Sequence, residues 1–184
     1  MIGLLGGTFN PPHNGHIALA RETVDQFGLE TLVILVAARP GHKDVGLDAE
    51  TRLQLARAAF PGYQVVLDAH ERTVDTLEDG PWHDPLFVIG ADEFCDFLTW
   101  KDPNGVLERA RLAVATRPGY PRERLDAVLE RLSRPQRVLF FEIEPLPISS
   151  RDLRERVGRG DAIDGSVPPP VAALVSELGL YRSG

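Results

Sequence analysis

GGTFNPPHNGH, residues 6–16, follows the apolar run MIGLL at the start of the chain, and its reading decides the fold. A short buried strand that breaks into glycine and proline, with histidines just beyond, is a strand-to-helix turn that brings backbone close to a ligand. Gly6 and Gly7 allow the approach. A helix behind them offers N–H groups without intrahelical partners, and the positive end of its dipole, to an anion. Neither common glycine signature is present: there is no GxxxxGK[ST], and Gly3, Gly6 and Gly7 do not have GxGxxG spacing.

Working outward, the chain repeats the alternation. IGLLGG (2–7), LVILVAA (32–38), YQVVLDA (63–69), PLFVIGA (85–91), RLAVATR (111–117) and RVLFFEI (137–143) are short apolar runs that read as buried strands. HIALARETVDQFGL places Ile17, Ala20, Val24 and Phe27 on one helical face, with Gly28 as its cap. DAETRLQLARAAF opens with Asp48 as N-cap, and ERLDAVLERLSRP is a further helix. Strands alternating with helices predict an α/β fold: a single Rossmann-like, doubly wound parallel sheet of five to six strands, one domain over residues 1–184. PLPISSRDLRERVGRG and SVPPPVAALVSELGLY follow as two helices, the first capped by Ser149 or Ser150, in a C-terminal helical part from about 146 to 184. Such a sheet binds ligands outside the carboxyl ends of its strands, where the strand order reverses, and the first strand-to-helix turn belongs to that site.

Composition narrows the function. No window approaches the roughly 18 apolar residues of a membrane span, so no membrane is expected. A formal net charge of −7 argues against coating nucleic acid, while a few local donors still suffice for a small phosphate ligand. Twelve of the eighteen arginines lie between Arg109 and Arg159 and read mostly as solvated helix faces. Cys95, the single cysteine, excludes an internal disulfide and a cysteine-built zinc site, which fits a cytoplasmic protein. One chain assigns no surface to a partner, so a homo-oligomer stays open.

His13 and His16 are three apart, so they share one side of the first turn if the helix has begun by His13. A neutral imidazole there can donate to a phosphate oxygen and gain a proton as negative charge builds. Two such donors suit a phosphoryl-type transition state, in which positioning and charge stabilisation do most of the work. A metal would need a third ligand, and none is suggested nearby.

GGTFNPPHNGH resembles the (H/T)xGH signature of the nucleotidyltransferase superfamily, in the GGTFDPxHxGH form of bacterial nicotinate-mononucleotide adenylyltransferases. Phosphopantetheine adenylyltransferases and glycerol-phosphate cytidylyltransferases carry close versions of that motif. Further segments resemble the nicotinate family in order: VAARPGHKD (36–44), TVDTL (73–77), GADEFCDFLTWKD (90–102), RPGYP (117–121), ISSRDLRER (148–156) and VPPPVAALVSELGLY (167–181). The likeness runs from residue 2 to residue 182.

The resemblance implies an enzyme that joins ATP and nicotinate mononucleotide into nicotinate adenine dinucleotide and pyrophosphate, by direct in-line transfer, in NAD biosynthesis. It implies catalytic roles for His13, His16 and Arg154, and places Gly7, Thr8, Phe9, Lys43, Gly90, Asp92, Ile148, Ser149 and Ser150 around ATP and its phosphates. Thr73, Thr76, Trp100, Lys101 and Arg117 would bind the mononucleotide, Trp100 by stacking on the pyridine ring. Mg²⁺ would come with ATP, with no protein-held metal. The chain departs from the family pattern at Asn10 (usually aspartate), Arg151 (usually threonine), Arg72 (usually tyrosine) and Ala37 to Arg39, and by a short stretch between Leu77 and Pro85.

Overall fold

In the computed structural model, which describes residues 1–40, 46–144 and 146–182, six parallel strands form one sheet in the order β3-β2-β1-β4-β5-β6. The strands are β1 (Ile2–Gly7), β2 (Thr31–Ala37), β3 (Gln64–Asp68), β4 (Leu86–Gly90), β5 (Arg111–Thr116) and β6 (Val138–Glu142). The sequence expectation of five to six parallel strands holds at its upper end.

Alternation along each strand divides the core between the two faces of the sheet. Leu5, Ile34, Val36, Val88 and Ala113 pack with Ala20 of α1 (Asn14–Phe27), with Leu53 and Ala56 of α2 (Ala49–Ala59), with Leu153 of α7 (Ser150–Gly158) and with Val171 of α8 (Pro169–Glu177). Leu4, Val33, Leu35, Phe87, Ile89 and Val114 face the other way. They pack against Val74 of α3 (Thr73–Asp79), Phe94 of α4 (Ala91–Cys95), Val106 of α5 (Pro103–Arg109) and Leu125 of α6 (Arg122–Leu129). The sheet is thus covered on both sides, and its strands need no polar face.

Local signals set the helix ends. Gly28 takes φ +59°, the left-handed conformation that closes α1, and Asp48 caps α2 by accepting from the Thr51 N–H at 2.8 Å. The short helices α3, α4 and α5 are less legible in the sequence, because seven residues or fewer make two turns at most, too few for a helical period to stand out.

Strand order reverses between β1 and β4: β1 pairs with β2 along Ile2–Gly7 and with β4 along Gly3–Leu5. A cleft opens there, outside the carboxyl ends of the strands, where such sheets place ligands. Among the described residues no helix is long and apolar enough to cross a membrane.

Candidate active site

The cleft has a volume of about 980 Å³, at the upper end of the roughly 300–1,000 Å³ that small-molecule sites span. Gly6, Gly7, Thr8, Phe9 and Asn10 form its floor, at the end of β1. The floor is a turn held from behind by its carbonyl groups. Arg52 Nη1 donates to the Thr8 oxygen at 3.1 Å, Arg154 Nη1 to the Asn10 oxygen at 2.7 Å, and Ser150 Oγ to the Pro11 oxygen at 2.8 Å. The Tyr181 hydroxyl donates to Asn10 Oδ1 at 2.6 Å. With its carbonyls committed to α2 and α7, the turn's shape is fixed by donors that come from far along the chain.

Arg52 is 1% exposed, the most deeply buried charged side chain described. Besides Thr8 it donates to the carbonyls of Ala37 at 2.6 Å, Ala38 at 3.2 Å and Leu47 at 3.3 Å. Burial lowers its pKa, and four carbonyl dipoles supply the negative charge that would otherwise come from a carboxylate. Its guanidinium thereby ties the end of β2 to the glycine turn.

Phe9 sits at φ +50°, a conformation costing a non-glycine residue about 1–3 kcal/mol, and packing offsets it. Its ring meets His16 and Phe60 edge-on, with centroids 5.2 and 5.5 Å apart. That ring also lies across Gly7, where an added Cβ would fall 2.7 Å from the ring. Gly7→Ala is expected to push Phe9 off His16 and lower kcat on the order of 100-fold, since a displacement near 1 Å at a reacting centre costs about that much. Steady-state kinetics with matched circular dichroism spectra checks it; an unchanged kcat would show that the Phe9 contact does not position His16.

His13 is the N-cap of α1, one position ahead of the helix, and His16 sits in the first turn. The rings stack with centroids 3.7 Å apart. The His13 backbone N–H donates to His16 Nδ1 at 3.2 Å, which leaves the proton of the neutral His16 ring on Nε2. His16 lines the cleft, so Nε2–H is the donor this ring can present to a phosphate oxygen. His13 lies behind it, 8% exposed, with Nδ1 buried and without a hydrogen-bond partner among the described residues. Burial pulls the His13 pKa down to about 4; burial and then the neighbouring His13 pull His16 down to about 3. Both rings are neutral at pH 7.

Because these folded-state values lie below the unfolded value of 6.5, the unfolded chain takes up protons that the folded chain refuses. Stability is therefore whole above pH 6.5 and falls as the pH drops toward 4, by about 2 kcal/mol per histidine at pH 5. Urea unfolding at pH 7 and pH 5 reads this. A slope that persists in the double variant His13→Asn, His16→Asn would assign it to other groups.

At the far end of the cleft stand Arg72, Thr73, Thr76, Trp100 and Lys101. The Thr76 hydroxyl is committed to Asp68 Oδ2 at 2.7 Å, so it braces α3 against β3. Lys101 Nζ meets both oxygens of Asp75, at 2.7 and 2.9 Å, which draws the Trp100 segment onto the first turn of α3. His70, which sequence reasoning passed over, bridges Asp68 and Asp79 through its two ring nitrogens at 3.0 Å each. Those carboxylates raise its pKa.

Other expected residues stand apart from the cleft lining. Asp92 accepts from the Tyr120 hydroxyl at 2.9 Å, and Gly90 is the N-cap of α4, its N–H held by Glu93 Oε2 at 3.0 Å. Ser149 caps α7 by accepting from the Asp152 N–H at 3.1 Å, while Ile148 donates its N–H to the Leu146 carbonyl at 2.8 Å. Arg117 lies over the Tyr120 ring in a separate hollow of about 250 Å³ at the ends of β5 and β6, away from Trp100. Lys43 lies outside the described residues. Arg151 and Arg39 line the cleft as well, although no role was expected for either.

A doubly wound parallel sheet whose switch-point cleft is floored by a glycine turn and walled by histidine and arginine defines a nucleotide-binding α/β protein. A family model described as Cytidylyltransferase-like matches residues 4–156. A probable nicotinate-nucleotide adenylyltransferase of Rubrobacter xylanophilus is 34% identical, across 99% of this chain and 92% of that protein. One from Thermus thermophilus is 36% identical across 98% and 99%. Among solved structures, nicotinic acid mononucleotide adenylyltransferase of Plasmodium falciparum, complexed with NaAD, superposes with a TM-score of 0.76 at 16% identity, over 98% of this chain and 96% of that one, a likeness of fold. The chain belongs to the cytidylyltransferase-like family and, within it, to the nicotinate-nucleotide adenylyltransferases.

Proposed function

We propose that the protein joins ATP and nicotinate mononucleotide to give nicotinate adenine dinucleotide and pyrophosphate. The observation that carries the mechanism is the His16 tautomer. A neutral ring with its proton on Nε2 lines the cleft beside the glycine turn and Arg154. An oxygen of the mononucleotide 5′-phosphate attacks the α-phosphorus of ATP; the bond to the bridging oxygen of the β-phosphate breaks, and pyrophosphate leaves with that electron pair. No general base is required, because the nucleophile is already an anion.

The protein's part is orientation and charge stabilisation. His16 Nε2–H donates to an oxygen on the reacting phosphate chain, and stacked His13 holds the ring. Arg154 keeps one nitrogen on the Asn10 carbonyl, and its remaining donors serve the leaving pyrophosphate together with the N-terminal N–H groups of α7. Mg²⁺ would arrive on the triphosphate, as part of that substrate, and would neutralise charge on the leaving pyrophosphate. Trp100 offers an aromatic face to the pyridine ring.

Pyrophosphate release from ATP, measured in parallel with nicotinate mononucleotide, nicotinamide mononucleotide and phosphopantetheine, tests the reading. Turnover with a pyridine mononucleotide is expected. Release with phosphopantetheine alone, or with no acceptor, would refute it.

A further inference from the structure

Arg72 is the N-cap of α3, and its backbone is fully engaged. Its carbonyl accepts from the N–H groups of Asp75 at 3.0 Å and Thr76 at 3.1 Å, and from the Thr76 hydroxyl at 3.2 Å. Its guanidinium lines the cleft, half-buried, and makes no hydrogen bond or ion pair among the described residues. Its cationic neighbours at this end are all matched with carboxylates. Lys101 is held by Asp75, His70 lies between Asp68 and Asp79, and Arg39 is 4.0 Å from Glu71. Arg72 is therefore the acceptor-end cation whose charge the described chain leaves uncompensated, and the Lys101–Asp75 pair holds Trp100 and the turn that Arg72 caps on opposite sides of a single ion pair.

We propose that the Arg72 guanidinium binds the pyridine carboxylate of the mononucleotide and so sets the preference for the acid over the amide; this rests on the reaction proposed above. A half-buried guanidinium gains most from a planar anion that can take two parallel N–H donors, and a ring carboxylate has that shape. A carboxamide offers one acceptor oxygen and turns an NH₂ donor toward a cation, so it forfeits the charge and half of the fork. The mononucleotide carries a second anion, its 5′-phosphate, which is common to the acid and amide forms. The comparison of the two forms is thus what separates the two placements.

The experiment is kcat/KM for nicotinate mononucleotide and for nicotinamide mononucleotide, at saturating ATP, in the wild type, Arg72→Gln and Arg72→Lys. Arg72 is partly exposed and its contribution to α3 is through backbone, so both variants keep the fold; matched unfolding curves verify this. Arg72→Gln is expected to lower the acid value about 10- to 100-fold, mainly through KM, and to leave the amide value within a few-fold. Arg72→Lys should recover part of the loss through charge alone. Equal losses for the two substrates would place the guanidinium on the 5′-phosphate and overturn the proposal, as would an unchanged ratio. If the wild type turned over neither mononucleotide, the reaction itself would fall, a result distinct from a wild type that is active but whose ratio ignores Arg72.

Discussion

His16→Ala is expected to lower kcat by roughly 100- to 1,000-fold, the cost of losing one preorganised donor to developing charge. The ring is more than a donor: its Nδ1 accepts from the His13 N–H, and it stands between the His13 and Phe9 rings. Alanine therefore also frees a helix-cap N–H, at about 1 kcal/mol in urea unfolding. His16→Asn separates the effects, because its side-chain oxygen can still cap while it carries no imidazole. The expected pair of results is a stability near wild type for Asn and a large kcat loss for both. A near-normal kcat in the alanine variant would remove His16 from the mechanism.

Arg52→Met should have the second largest effect, and it should be read on two scales. Removing the guanidinium strips partners from the carbonyls of Thr8, Ala37, Ala38 and Leu47. At about 1–3 kcal/mol per buried unsatisfied group, with some of the four regaining water, a loss of about 3 kcal/mol is expected in urea unfolding. The rate should fall too, on the order of 100-fold, because Thr8 and Phe9 lose their anchor to the end of β2. Arg52→Lys, reaching fewer of the four oxygens, should lie between. A methionine variant that loses stability but keeps the wild-type kcat would make Arg52 a fold residue alone.

The architecture was legible because it is written in local pattern: six apolar runs, helical spacing between them, Gly28 and Asp48 at helix ends. The histidines were legible because glycine, proline and histidine together in one turn point to chemistry. What holds the turn was not. Arg52 reads as one more charged residue of an amphipathic helix, and its burial depends on how α2 lies across the ends of β1 and β2. Asn10 has no local explanation, since its partner Tyr181 is 171 residues away. Arg117 and Trp100 both end up near strand ends, yet on different hollows, which spacing along the chain does not encode. Thr76 reads as a ligand contact in a motif, whereas its hydroxyl serves Asp68.

The turn that floors the cleft also has a bearing on the order in which the protein comes into being. Its own residues are complete by position 16, but the groups that fix its carbonyls and its asparagine sit at 52, 150, 154 and 181. On a ribosome the first strand and helix emerge long before those partners. Closing a loop of that span carries an entropy cost that nearby contacts do not, so the turn's final geometry should be among the last features a folding chain acquires. Completion of the chain then decides the turn's shape: a chain cut short of its second half lacks Ser150, Arg154 and Tyr181, three of the groups that hold it.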